Sequence, residues 1–217
     1  MRSKQDFDNE KVVKISNKIY SETALKYGPD SNAVRYGDQQ SQYLRFAEIV
    51  RYIDMEGNGK HVLDVGCGNA ELYKFLNFMG FRGRYTGYDI NKHLLNIAKK
   101  RFKNIDVSLV DLMEQRPKKH FNYVVASGLF GLNIGQNMEW TFSLIKRMYD
   151  LCTEKTVFNM ISSHVNFKEH DMFYVDPGEV LKFCIEKLSR RVALVHHNIP
   201  YNFTVVISKG AEWKSIA

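Results

Sequence analysis

The sequence predicts an α/β protein, a three-layer sandwich with a seven-stranded, mostly parallel, doubly wound sheet that ends in an antiparallel C-terminal hairpin. From Lys60 onward, short apolar segments alternate with segments whose apolar residues recur at helical spacing. The first apolar segment runs directly into a glycine turn, Gly66-Cys67-Gly68, which allows a sharp passage from strand to helix. The last two strands are separated only by the turn Pro200-Tyr201-Asn202, so we expect them to be antiparallel neighbours.

The N-terminal part of the chain, residues 1–55, is predicted to form a helical cap or lid on a main domain at residues 56–217. In its first helix, Val12, Ile15 and Ile19 fall on one stripe. A loop rich in turn residues follows. The second helix carries apolar residues at helical spacing, namely Tyr43, Leu44, Phe46, Ala47, Val50 and Ile53.

The main domain alternates strand and helix. Strands are predicted at 62–65, 85–89, 105–109, 123–126, 157–161, 192–196 and 203–208. Helical stripes lie between them, and two helix starts carry clear signals. Asn91 can cap the helix that follows the second strand. The run Asp176-Pro177-Gly178-Glu179 combines a capping acid, a proline at the first helical position and a capping-box glutamate.

Composition bounds the class of protein. The chain has 217 residues, is 44% hydrophobic, and contains no apolar run long enough to span a bilayer. Its three cysteines are far apart and form no metal-binding pair. No secretory signal is visible, so we expect a cytoplasmic protein with reduced thiols and no membrane partner. The net charge of +7 allows a nucleic-acid partner, but the basic residues are spread along the chain, which favours an ordinary solvated surface.

The residues around the glycine turn indicate which nucleotide cofactor it would bind. In a dinucleotide site, a third glycine lets the helix N-terminus approach a pyrophosphate. Here that position is Glu71, and Asp64 lies two residues before the turn. Two carboxylates would repel a pyrophosphate but would suit a cationic amino-acid group. Asp89, at the end of the next strand, is placed to accept hydrogen bonds from ribose hydroxyls. A ribose-bearing cofactor with an amino-acid tail is S-adenosylmethionine.

The segment Leu63-Asp64-Val65-Gly66-Cys67-Gly68-Asn69 resembles the first motif of the class I S-adenosylmethionine-dependent methyltransferases. The resemblance spans about residues 40–208, and its C-terminal part is similar to uncharacterised small bacterial members. It implies that residues 56–217 form the S-adenosylmethionine-binding methyltransferase domain, that Asp89 holds the ribose, that Ile90 packs on adenine and that Asp111 accepts from the adenine amino group. The cofactor-binding residues expected from it are Asp64, Gly66, Cys67, Gly68, Asp89, Ile90, Asp111, Leu112 and Ser127. Two departures from the family pattern are Ala70, in place of the last glycine, and Asn122, in place of an aspartate.

The acceptor side of the site is less defined by the sequence. Gln42 or Arg45 is expected to reach the carboxylate of the cofactor. An oxygen or nitrogen nucleophile that carries a proton needs a base. His164, after the fifth strand, is the first choice, with His196 and Tyr174 as further catalytic candidates. Asn159, His170 and His197 also qualify.

The predicted function is transfer of a methyl group from S-adenosylmethionine to an oxygen or nitrogen of a small-molecule acceptor, such as a sugar or a natural-product intermediate, by in-line displacement. The motifs that mark amino-methylating enzymes of nucleic acid are absent after the fourth strand, where the chain reads Ala126-Ser127-Gly128. An RNA methyltransferase, favoured by the +7 charge, and a non-catalytic S-adenosylmethionine-binding module remain alternatives. An NAD-dependent oxidoreductase is disfavoured by Asp64 and Glu71.

Overall fold

The structure, a computed structural model that describes residues 7–210, contains one mixed seven-stranded sheet. Its strands are β1 (His61–Val65), β2 (Arg84–Asp89), β3 (Val107–Leu109), β4 (Phe121–Ala126), β5 (Cys152–Ile161), β6 (Val192–Val195) and β7 (Asn202–Ser208). Their order across the sheet is β3-β2-β1-β4-β5-β7-β6. The first five strands are parallel, and β7 is antiparallel to both β5 and β6. The predicted fold class is therefore confirmed.

In the described part of the chain, six α-helices surround the sheet: α1 (Asn9–Tyr27), α2 (Gln39–Val50), α3 (Glu71–Phe78), α4 (Lys92–Arg101), α5 (Asn137–Leu151) and α6 (Pro177–Lys187). A short 3-10 helix, Ser31–Val34, joins α1 to the second helix. The two predicted helix starts form as expected. The Asn91 side chain accepts hydrogen bonds from two backbone N–H groups of α4, and the Asp176 side chain accepts two from α6. Within residues 7–210, none of the helices has the length and apolar character that a membrane crossing requires.

The central strands are buried on both faces, as a parallel sheet requires. Successive residues of a strand point to opposite sides, and the two hydrophobic cores follow this alternation. Val62 of β1 and Val125 of β4 pack with α2, α3 and α4 on one side. Leu63 and Val124 pack with α5 and α6 on the other side. This arrangement is the predicted three-layer sandwich.

Several strand boundaries differ from the prediction, that of β5 by the most. Strand β5 begins at Cys152, five residues before the predicted start, because its polar beginning pairs with β4 and with the end of β7. The sequence did not predict this extension, because strands were assigned from apolar segments and Thr153-Glu154-Lys155 is polar. Strand β3 is shorter than predicted, because the Ile105 N–H turns back to the Phe102 carbonyl oxygen at 3.4 Å.

The strand order reverses between β1 and its neighbours β2 and β4, which creates a crevice at the carboxyl edge of the sheet. Ligands of open α/β sheets bind in such a crevice. The glycine turn after β1, the end of β2 and the loop after β4 all reach this edge. Helix α1 lies over it, since Asn17 of α1 accepts a 3.1 Å hydrogen bond from the Asn91 amide at the start of α4.

Candidate active site

The glycine turn after β1 has a shape that only glycine allows without strain. Gly66 and Gly68 have φ angles of 73° and 55°. The Gly66 and Cys67 N–H groups both donate to the Tyr88 carbonyl oxygen of β2, at 2.8 and 3.1 Å. A Cβ atom on Gly66 would lie 2.7 Å from Leu129 Cδ1, and one on Gly68 would lie 2.8 Å from Val34 Cγ1. Neighbouring side chains therefore leave no room for a Cβ atom at Gly66 or Gly68. Because these two residues have no side chain, their backbone can approach a ligand closely.

Asp89 joins the glycine turn to the end of β2. Its Oδ2 atom accepts a hydrogen bond from the Gly68 N–H, and its Oδ1 atom accepts one from the Asn91 N–H, both at 2.7 Å. Burial raises the pKa of this carboxyl, and the backbone N–H bonds oppose that rise. The carboxylate is held rigidly, and its remaining lone pairs can accept from a ligand.

Asp111 is held by α1, which the sequence did not predict. The Asn9 Nδ2 atom donates to Asp111 Oδ2 at 2.8 Å, and the Met113 N–H donates to Asp111 Oδ1 at 2.8 Å. Asn9 Oδ1 is buried and has no hydrogen-bond partner among the described residues. Asn9 lies 102 positions from Asp111, so no local sequence pattern could have revealed this contact.

A cavity of about 980 Å³, part of it open to solvent, lies at this edge of the sheet. Among the predicted cofactor residues, it is lined by Gly66, Gly68, Asp89, Ile90, Asp111, Leu112 and Ser127. A smaller cavity of about 300 Å³ adjoins it at the glycine turn and is lined by Gln42, Asp64 and Cys67. Of the predicted cofactor residues, only Arg45 lines neither of these two cavities.

Helix α1 forms a wall of the large cavity. Val12, Val13, Ser16, Asn17 and Tyr20 line it. Burial raises the pKa of Tyr20 to about 12, so its phenol is neutral. The predicted stripe of α1 packs against the loop after β4, around Leu132 and Ile134.

Asp64 is a buried carboxyl group whose ionisation depends on its surroundings. Burial raises its pKa to about 7, whereas the hydrogen bond from the Tyr85 hydroxyl, at 2.8 Å, opposes the rise. The nearby Asp89 charge adds to the rise. A cationic group placed beside Asp64 would favour the ionised form.

Glu71 does not contribute the free negative charge that the sequence suggested. Its carboxylate accepts from Arg101, from Lys74 at 3.1 Å and from the Tyr43 hydroxyl at 2.7 Å. Burial alone would raise its pKa, but these hydrogen bonds outweigh burial, and the pKa is lowered. The sequence analysis assumed that the negative charge of Glu71 would repel a pyrophosphate. In the structure two cations balance this charge, so Glu71 supplies no such repulsion.

Cys67 fills space within the turn. Its Sγ atom would lie 2.7 Å from a Cβ on Gly87, so β2 passes close against it. Burial raises the pKa of the thiol well above its usual value, which makes a nucleophilic role unfavourable.

A hydrogen-bonded network stands where the large cavity meets the loop after β4. The Tyr36 hydroxyl and Ser127 Oγ are 2.9 Å apart, and the Asn159 Nδ2 atom donates to Ser127 Oγ at 3.1 Å. The Gly128 N–H donates to Asn159 Oδ1 at 3.0 Å. Burial raises the pKa of Tyr36, with Arg45 opposing the rise, so the phenol stays protonated. Tyr36 lines the large cavity, the small one and a further cavity of about 500 Å³.

This further cavity, which we call the acceptor cavity, lies beyond Tyr36 and Gly128. Its polar lining residues are Tyr20, Arg35, Tyr36, Arg45, Asn159 and Asn202. It shares Tyr36, Gly128 and Leu132 with the large cavity, so the two are adjacent.

The three predicted catalytic residues lie outside the cavities that meet at Ser127. His164 has 69% of its side chain exposed, with Nε2 3.8 Å from Asp176 Oδ2. His196 is exposed beside it, with the two ring centres 6.4 Å apart. The Tyr174 hydroxyl accepts from the Glu169 N–H and lines only an outer groove. The loop after β5 reaches the acceptor cavity through Met172, whereas the His164 side chain lies in solvent, so position after a strand did not suffice to predict these roles. Of the other candidates, Asn159 lies closest to the site.

The strand order, the glycine turn and the carboxyl groups that follow β2 and β3 define a nucleotide-binding site of the Rossmann-like class. A family model described as a methyltransferase domain matches residues 56–198, and the chain belongs to this family. The protein is an S-adenosylmethionine-dependent methyltransferase.

Individual proteins agree with this assignment. A Mycobacterium tuberculosis protein provisionally named as a methyltransferase, Rv1506c, is 28% identical over 158 residues, which are 68% of this chain and 92% of that protein. Magnesium protoporphyrin IX methyltransferase from Synechocystis PCC 6803, solved with S-adenosylhomocysteine, has a TM-score of 0.66 at 13% identity and covers 94% of this chain and 100% of its own. The Pnkp1/Rnl/Hen1 RNA repair complex has a TM-score of 0.61 at 21% identity, covering 78% of this chain and 42% of its own. At these identities, the two solved structures show a shared fold.

Proposed function

We propose that the protein methylates an oxygen or nitrogen atom of a small-molecule acceptor bound in the acceptor cavity. The observation that carries this proposal is the position of that cavity, which adjoins the large cavity at Tyr36 and Gly128. In-line displacement requires the acceptor atom and the methyl group to approach along one line in a site that excludes water. Two adjoining cavities, one for each reactant, meet this requirement.

The residues present fit S-adenosylmethionine, which supplies an electrophilic methyl group on a sulfonium centre when bound. We propose that Asp89 accepts from the ribose hydroxyls and that Asp111 accepts from the adenine amino group. Ile90 and Leu112 offer apolar contact to the adenine ring. Asp64 and Gln42, at the small cavity, are placed for the amino-acid end. Gln42 is 2% exposed and its Oε1 atom has no partner in the described chain, so an ammonium group would satisfy it.

A small acceptor fits the surroundings better than a polymer. The acceptor cavity is bordered by Arg35, which follows the 3-10 helix, and by Arg45 of α2. Among residues 7–210, Arg35 and Arg45 are the only lysine or arginine residues that line the three adjoining cavities. RNA recognition depends on many phosphate contacts from lysine and arginine. The net charge of +7 is thus distributed mainly away from the site.

The walls of the acceptor cavity also limit the chemistry. No histidine lines it within the described chain. Tyr36 is protonated and Asn159 is not a base, so the acceptor must present a lone pair that is already unprotonated or loses its proton to solvent. Tyr36, Ser127 and Asn159 would then orient the acceptor by hydrogen bonds.

Two measurements test this function. Isothermal titration with S-adenosylhomocysteine is expected to show saturable binding, and no heat at hundreds of micromolar ligand would overturn the cofactor placement. Methyl transfer from labelled S-adenosylmethionine is then measured over a panel of small hydroxyl, amine and carboxylate compounds, with an RNA oligonucleotide as the competing substrate. Turnover on RNA with a steep salt dependence would favour the RNA alternative. Tight S-adenosylhomocysteine binding without transfer to any member of the panel would favour a non-catalytic binding module.

A further inference from the structure

Arg45 is a partly buried cation that lines neither of the two cavities assigned to the cofactor. Its Nε atom donates to Asn202 Oδ1 at 3.1 Å, and its Nη1 atom donates to Ser41 Oγ at 2.9 Å and to the Ser41 carbonyl oxygen at 3.3 Å. The guanidinium carbon lies 5.0 Å from the centre of the Tyr36 ring. These contacts fix the direction of the guanidinium plane. They leave the two N–H groups of Nη2 without a partner in the described part of the chain.

Three other partly buried cations of this protein are paired with carboxylates, whereas Lys155 donates to the Tyr52 carbonyl oxygen. Arg35 contacts Asp171 at 2.5 Å, Lys60 contacts Glu154 at 2.6 Å, and Arg101 contacts Glu71. Arg45 has no carboxylate within 4.0 Å among residues 7–210. A partly buried charge without a counter-charge is unfavourable, and a bound anion would remove that cost.

The position of Arg45 separates it from the cofactor residues. It lines the acceptor cavity and an open outer groove of about 1080 Å³, so it stands where these two spaces meet. Tyr36 lies between Arg45 and Ser127, because the ring faces the guanidinium while the hydroxyl contacts Ser127. Arg45 is thus on the acceptor side, whereas the sequence had suggested the cofactor carboxylate as its partner.

We propose that Arg45 binds an anionic group of the acceptor, a carboxylate or a phosphate, and that the acceptor is therefore an acid. This inference rests on the proposed function of the acceptor cavity. The two free N–H groups of Nη2 offer charge-assisted donors to the oxygen atoms of a carboxylate or a phosphate. Asn202 and Ser41 hold it in place before the ligand arrives, which reduces the entropy lost on binding. The anionic group would sit on one side of the Tyr36 ring, and the atom that is methylated would lie on the Ser127 side.

Binding of simple probes tests the inference without knowledge of the natural acceptor. The protein, saturated with S-adenosylhomocysteine, is titrated calorimetrically with benzoate, acetate and inorganic phosphate, and with the neutral analogues benzamide and acetamide, across the millimolar range. We expect at least one anion to bind about tenfold or more tightly than the neutral compounds. We expect Arg45→Gln to abolish this preference and Arg45→Lys to retain part of it. Comparison of phosphate with the two carboxylates identifies which anion the site prefers.

Arg51→Gln is the matched control, because Arg51 caps the same helix but has 65% of its side chain exposed. It is expected to keep the anion preference. S-adenosylhomocysteine affinity is measured for each variant, and Arg45→Gln is expected to change it less than about threefold, within the effect of a remote charge. Equal binding of anions and neutral analogues, no binding of any probe, or an equal loss of cofactor and anion affinity in Arg45→Gln would each overturn the inference. Failure of the wild-type protein to bind S-adenosylhomocysteine would instead count against the proposed function.

Discussion

At the scale of single residues, Asp64 links the charge of the site to the stability of the protein. The folded protein holds its pKa at about 7, compared with an ordinary value of 3.8. Between these two values the unfolded chain has lost its proton while the folded chain still binds it. Raising the pH through this window therefore favours the unfolded state, and the free energy of unfolding falls. Above the folded-state pKa no further loss arises from this group.

Asp64→Asn tests this linkage, because the amide stays neutral at every pH. The difference in free energy of unfolding between Asp64→Asn and the wild type is expected to shift in favour of the variant as the pH rises from about 4 to about 7, by up to about 1.4 kcal/mol for each pH unit. Urea denaturation of both proteins at several pH values measures it. A difference that stays constant over this range would show that Asp64 is ionised throughout.

Asp89 carries the prediction for the ribose end of the site. Replacing it with alanine removes the acceptor that we propose for two hydroxyl groups, each worth about 1.5–3 kcal/mol when the acceptor is charged. The Kd for S-adenosylhomocysteine is therefore expected to rise by at least about 100-fold in Asp89→Ala. Asp89→Asn, which keeps the shape of the side chain, is expected to give a smaller loss. Calorimetric titration provides the values.

The control for Asp89 is Asp150→Asn, which removes an exposed carboxylate paired with Lys146 on α5. Such a surface pair contributes little, so its affinity should match the wild type. Unchanged affinity in Asp89→Ala would mean that the ribose lies elsewhere.

At the scale of elements, the connection from β1 to α3 contains a conformation unusual for its residue. Ala70 precedes α3 with φ 62° and ψ 38°, in the left-handed region that favours glycine. It is fully buried, and it occupies the position where the family pattern has glycine. The methyl group thus gains packing at the cost of backbone strain.

Ala70→Gly is expected to change the free energy of unfolding by less than about 1 kcal/mol, because relief of roughly 1 kcal/mol of backbone strain offsets the loss of about 0.8 kcal/mol from the buried methyl group. Ala98→Gly, at a buried position inside α4, is the matched control. There the same change loses the methyl group and the helix preference together, for about 2 kcal/mol. Equal losses in the two variants, measured by urea denaturation, would contradict strain at Ala70.

Helix α1, with Phe7 and Asp8 before it, is a second element with a predicted role. We propose that residues 1–55 include the lid of the cofactor cavity, and the contacts of α1 support this. Phe7 is buried in the main core, and Asn9 donates to Asp111 at the far side of the cavity. Because α1 covers one wall, a ligand in the cavity would add contacts along its length.

At the scale of the whole molecule, the cofactor is expected to stabilise the fold by mass action. With free S-adenosylhomocysteine at one hundred times its Kd, the free energy of unfolding should rise by about 2.7 kcal/mol. For a chain of this size, Tm should then rise by roughly 5–10 °C. Hydrogen exchange should slow along α1 more than along α6, which lines none of the four cavities described. Uniform slowing across both helices would argue against a lid.

The sequence by itself determined the sheet, the helix starts and the edge at which the site forms. Apolar periodicity is a local property of the sequence, so the strands and helices could be predicted from it. Because the carboxyl ends of parallel strands lie at one edge of the sheet, the sequence also predicted that Asp64, Asp89 and the glycine turn lie close together. Membership of the family followed from the same residues.

Only the tertiary structure decided which side chains face the cavities and which charges remain unpaired. The contact between Asn9 and Asp111 joins residues 102 positions apart, and that between Arg45 and Asn202 joins residues 157 positions apart. Ion pairs with Arg101 and Lys74 balance the negative charge of Glu71. The His164 side chain, in the loop after β5, lies in solvent. Such contacts depend on how separate elements pack, and no periodicity within one element encodes them. The methyl donor could therefore be predicted from the sequence, whereas the charge of the acceptor could be inferred only from the packed structure.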